Sequence, residues 1–107
     1  MICIKYFPQE TRLQARGHAG YAPEGQDIVC AGISTLFGAL AMHPLTEQRK
    51  EADWRVIVAK DGAAEVMRPY FEMIAQGMTD IAKQYPDHVL MGIVNARQRD
   101  SVILSNG

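Results

Sequence analysis

Between residues 17 and 26 the chain carries three glycines and a proline in ten positions: Gly17, Gly20, Gly25 and Pro23. Glycine is entropically costly in helix and strand alike, and proline withholds a backbone donor from either. The stretch is therefore predicted to be a surface loop with freedom to move. Before it, Ile2–Phe7 alternates and holds Ile, Tyr and Phe, which predicts a strand. Pro8, Gln9 and Glu10 are turn residues, and residues 11–16 alternate again, so the two strands should form a hairpin.

After the loop, Asp27 stands as an acidic N-cap before an apolar run that predicts a helix to about Met42, closed by His43-Pro44. The helix is apolar almost all round, which predicts cover on more than one side. Residues 45–53 are polar and charged and read as a loop or a short helical turn. Residues 54–59 read as a strand. Asp61-Gly62 then signals a two-residue hairpin, with residues 63–67 pairing back. Pro69 suits the first turn of a second helix, whose apolar positions Tyr70, Phe71, Ile74, Met78, Ile81 and Tyr85 follow a helical period. Pro86-Asp87 ends it, residues 88–94 form a last strand, and residues 95–107 are a C-terminal tail with no assigned element. The order ββαββαβ predicts an α+β fold in two layers, an antiparallel or mixed sheet with two main helices, in one domain over residues 1–94.

With 107 residues and a formal net charge of -1, the chain lacks the basic footprint of a protein that binds nucleic acid directly. No segment approaches the ~20 apolar residues of a membrane span, and the N-terminus reads as a strand rather than a signal peptide. Two cysteines, Cys3 and Cys30, are too few for a disulfide framework, so a reducing, cytoplasmic location is expected. Their spacings to His18 and His43 are not those of a zinc site, and no cofactor is expected.

The chemistry concentrates around Cys30. It lies three residues after the candidate cap Asp27, in the first helical turn, where backbone N–H groups have no intrahelical partner and the dipole favours negative charge. Reactive cysteines at such positions titrate between ~3.5 and ~7.5, against ~8.5 for an unperturbed thiol, a difference that separates a nucleophile from filler. His18 stands at the end of the second strand. A loop of roughly ten residues readily closes its ends, so the imidazole can reach the thiol, take its proton and later protonate the leaving amine. Gly17 permits close approach of a backbone, and the N–H of Cys30 can serve an oxyanion. Ser34 lies one turn beyond Cys30 on the same helix face and can hydrogen-bond the sulfur, His18 or the loop. Asp27 can cap the helix or orient His18. Tyr21, an aromatic residue in a glycine-rich loop, is a candidate substrate contact. Cys3, in a hairpin strand without a capping feature, reads as packing. His43 reads as a charge set against the helix dipole.

The run Gly-His-Ala-Gly-Tyr-Ala from Gly17, then Gly25, Asp27-Ile28-Val29-Cys30-Ala31 and Ser34, resembles the signature of the ribosomal-processing cysteine proteases, the Prp family. The resemblance implies an α+β fold, a homodimer and a dyad matching His18 and Cys30, supported at Gly17, Asp27 and Ser34. It implies a glycine-rich loop, here residues 20–26, that moves over a bound peptide. The implied activity is endoproteolysis that removes the N-terminal extension of a large-subunit ribosomal protein. Two alternatives keep the same fold: a phage or prophage protease that trims capsid or scaffold proteins, and a non-catalytic dimeric module that clamps a peptide. The chain departs from the family pattern at Gly32, inside the first helix, and in the tail after Val94.

Overall fold

The computed structural model describes residues 1–17, 28–95 and 103–104. The first hairpin forms as its alternation predicts. In β1 (Ile2–Phe7) the residues Ile2, Ile4 and Tyr6 are buried while Cys3, Lys5 and Phe7 are half-buried on the other face. Pro8–Glu10 makes one 3-10 turn, closed by Thr11 N–H donating to the Pro8 carbonyl at 3.3 Å. Thr11 is not the first residue of the second strand. It turns the corner with a left-handed φ of 46°, and β2 (Arg12–Gly17) begins after it, antiparallel to β1.

Helix α1 (Ile28–Ala41) has the expected extent, although its candidate cap Asp27 lies outside the described residues. Its cover differs from expectation. Val29, Ile33, Phe37 and Leu40 form one buried row, while Ile28, Ala31, Ser34, Thr35 and Ala39 are exposed. Small and hydroxyl side chains on the outer row keep the exposed apolar area low, so one-sided packing suffices. At the C-terminal end Thr46 Oγ1 donates to the carbonyl of His43 at 2.7 Å, with the Leu40 carbonyl also near at 3.1 Å. The Leu45 N–H donates to His43 Nδ1 at 3.0 Å. His43 thus acts as an acceptor in the turn, where the sequence suggested a charge facing the helix dipole.

The order ββαββαβ holds, but by a different choice of strands. Residues 45–53 are not a loop: β3 (Thr46–Glu51) pairs antiparallel with β4 (Trp54–Ala59) around the two-residue turn Ala52-Asp53. All side chains of β3 after Thr46 are exposed, so it carries no hydrophobic period to detect; charges on an edge strand also discourage pairing with other chains. Residues 63–67 are not a strand. The Asp61-Gly62 signal marks a turn, with Ala63 N–H donating to the Lys60 carbonyl at 2.9 Å and Gly62 at φ +82°, but it leads into a helix. That helix, α2 (Ala64–Gln84), starts a turn earlier than Pro69 suggested, and Pro69 lies inside it. Its buried stripe is Met67, Phe71, Ile74, Ala75, Met78 and Ala82, while Tyr70 is exposed and Ile81 and Tyr85 are half-buried.

β5 (Val89–Ile93) lies parallel to β1, and β6 (Ile103–Leu104), from the tail left unassigned, adds antiparallel to β5. The sheet is mixed, in the order β3-β4-β2-β1-β5-β6. Ile2, Ile4, Tyr6, Leu13, Ile57, Val89 and Met91 present one face to the buried rows of both helices, which gives the two-layer α+β architecture. On the other face Arg12 bridges to Glu51 at 2.6 Å, and Arg16 lies 4.5 Å from the Trp54 ring centre. Among the described residues no helix is long and apolar enough to cross a membrane.

Candidate active site

The β2–β4 ladder ends at Ala15 opposite Arg55, yet β2 continues to Gly17 beside β1. The N-terminal half of α1 passes over this end of the sheet and encloses a cavity of about 360 Å³. Cys30, the third residue of α1, is half-buried in its wall. Ser34, four residues on, lines the same cavity, as does Gly17 at the end of β2. The floor is apolar, with Ile2, Ile33 and Phe37.

Three of the seven candidate site residues, Gly17, Cys30 and Ser34, are thus brought together by elements distant in sequence. The other four, His18, Gly20, Tyr21 and Asp27, lie outside the described residues. His18 directly follows Gly17, and Gly17 borders the cavity that holds the thiol. The close approach at Gly17 that the structure shows is within the chain: a Cβ there would overlap the carbonyl oxygen of Met1, and its φ is +90°. Cys3 lies on β1, on the sheet face turned away from the helices, and no disulfide joins it to Cys30. Among the described residues no three His, Cys, Asp or Glu side chains cluster as metal ligands.

Sequence reasoning missed the charged wall. Arg16, Lys50, Asp53 and Arg55 line the cavity. Arg16 lies 3.5 Å from Asp53 with both side chains well exposed, so water screens the pair and it contributes little stability. Arg55 sits 5.2 Å from the Phe37 ring centre, over the floor of the cavity. Lys50 and Asp53 were hidden because the third strand was read as a loop. Only Arg16, next to the glycine of the motif, could have been suspected from position.

A family model described as cysteine protease Prp matches residues 1–90. A 38-residue segment is 53% identical to the ribosomal processing cysteine protease Prp of Mycoplasma pneumoniae, covering 35% of this chain and 38% of that protein, so the match spans well under half of the relative's length. The fold is similar to that of the ribosomal processing protease Prp from S. aureus in complex with a covalently linked product peptide. The TM-score is 0.71 at 17% identity, over 87% of this chain and 99% of that one. The same S. aureus protease with a substrate peptide gives a TM-score of 0.67 at 16% identity over the same shares. At these identities the structural likeness is one of fold.

Proposed function

The chain belongs to the cysteine protease Prp family, and from that premise we propose that it is a cysteine endopeptidase with Cys30 as nucleophile and His18 as base. His18 takes the thiol proton, and the Cys30 sulfur attacks a peptide carbonyl of an extended segment lying across the cavity. The sulfur–carbon bond forms, the carbon–nitrogen bond breaks, and His18 returns the proton to the leaving amine. Water then hydrolyses the thioester and restores the thiol. The N–H of Cys30, in the first turn of α1, is suited to the oxyanion, and the helix dipole favours negative charge there. Ser34, one turn away, and Gly17, Gly20, Tyr21 and Asp27 support the site or touch substrate.

The observation that carries this reading is the position of Cys30: third residue of a helix, in the wall of a cavity shared with Gly17, whose chain neighbour is His18. The substrate we assign is the N-terminal extension of a large-subunit ribosomal protein, supported by the Prp relatives named for ribosomal processing. The family resemblance further supports a homodimer acting in a bacterial cytoplasm.

The test is incubation of the purified protein with a ribosomal protein bearing its N-terminal extension, beside Cys30→Ala and His18→Ala. Cleavage at one bond by the wild type alone is expected. Equal cleavage by Cys30→Ala would remove the thiol from the mechanism.

A further inference from the structure

The cavity beside Cys30 has an apolar floor but a cationic wall. Among the described residues that line it, Arg16, Lys50 and Arg55 are positive and Asp53 is negative, although the whole chain is slightly acidic. Arg16 has Asp53 within 3.5 Å. Lys50 and Arg55 have no such acid among the described residues, and they stand directly opposite each other across the β3–β4 ladder. Like charges in that relation destabilise a sheet, and opposite charges there stabilise it. Two cations thus stand side by side at the mouth of the cavity, an arrangement that an anion bound between them stabilises. Arg55 is further held over the Phe37 ring at 5.2 Å, which fixes its guanidinium at the boundary between the apolar floor and the rim.

We infer that this cavity takes an acidic side chain of the substrate, a Glu or Asp close to the scissile bond, with Lys50 and Arg55 binding its carboxylate. The inference rests on the peptidase reading and narrows it to substrates with an acidic residue near the cut. The carboxylate receives charge-assisted hydrogen bonds from both cations, while its methylene stem lies over Phe37. The neutral isostere Gln keeps the shape and loses the charge. The geometry thus discriminates by charge, and the discrimination weakens with salt.

The experiment separates binding from cleavage. Fluorescein-labelled extended peptides with Glu scanned one position at a time, and matched Gln peptides, are titrated by anisotropy into the full chain carrying Cys30→Ala. At one position the Glu peptide is expected to bind about tenfold tighter than its Gln partner. The preference should shrink at high salt and vanish in the added double substitution Lys50→Gln, Arg55→Gln. Lys50→Gln alone, which removes the like-charge pair and leaves Arg55 over Phe37, should weaken the preference and melt no lower than its parent, whereas a purely structural role for the lysine would lower the melt. Equal binding of Glu and Gln peptides at every position overturns the inference, as does a preference that survives the double substitution. So does absence of any binding, or a preference that appears only after Glu24→Gln and Asp27→Asn, which would make the chain's own acids the occupants. Failure of the peptidase reading looks different: the Glu preference in binding stands, and the wild type cuts none of the peptides.

Discussion

Gly32 of α1 faces Ile81 of α2 so closely that a Cβ on the glycine would lie 3.2 Å from Ile81 Cδ1. The relation is reciprocal along the helix pair, since a Cβ on Gly77 of α2 would lie 3.2 Å from Leu36 Cδ1 of α1. Each helix gives up a side chain where the other inserts one, which lets the two axes approach. The glycine that departs from the family pattern therefore has a packing partner.

Gly32→Ala sets a gain in helix propensity of about 1 kcal/mol against a tight contact with the end of one flexible, half-buried side chain. Ile81 can turn its terminal methyl aside, so we expect a net gain of roughly 0.5 kcal/mol. Gly32→Leu has no such escape and should lose about 1–3 kcal/mol through overpacking. Urea unfolding of the two variants beside the parent checks both signs.

Gly17→Ala should be far more damaging. The position combines φ +90° with overlap of any Cβ on the Met1 carbonyl oxygen, and both partners are backbone, so neither can rotate away. A loss of at least about 2 kcal/mol is expected, together with reduced peptide cleavage, because the same residue leads into His18. Full stability in Gly17→Ala would show that β1 and β2 separate there without cost.

Thr46 joins the end of α1 to β3 through its hydroxyl. Thr46→Val keeps the shape and the strand preference but leaves buried carbonyls without that donor, so it should cost about 1–2 kcal/mol. Thermal melting is the measurement, with Thr46→Ser expected to recover most of the loss.

Tyr6 is 4% exposed, and its hydroxyl has no hydrogen-bond partner among the described residues. Burial, with Glu72 adding to it against Arg68, pushes the phenol up from 10.0 to about 12. The unfolded chain therefore loses this proton first as pH rises. The folded state's advantage is complete below pH 10 and disappears as pH climbs through about 12, with a slope approaching 1.4 kcal/mol per unit. Tyr6→Phe should remove this part of the alkaline slope. It should also leave neutral-pH stability unchanged or raise it by about 1 kcal/mol, since the lone hydroxyl is desolvated without return. Denaturant melts of both proteins at neutral pH and above pH 10 give the comparison.

Features that depend on near neighbours were legible in the sequence. The alternation of residues 2–7 formed β1, the Asp61-Gly62 pair formed a turn, and Cys30 came out in the first turn of a helix because the breakers before it left nowhere else for the helix to start. What local chemistry could not supply was the partner of each element. Asp61-Gly62 suits a strand-to-helix turn as well as a hairpin, and residues 46–51 have no period because the side chains after Thr46 meet water on both faces of the strand. Tertiary structure decided that those residues pair with β4. That pairing set Lys50 against Arg55 and placed both beside a thiol far away in sequence. The sequence by itself thus determined where Cys30 sits on its own helix. Only the fold decided which charges face it, because those charges arrive through long-range pairing that leaves no mark on neighbouring residues.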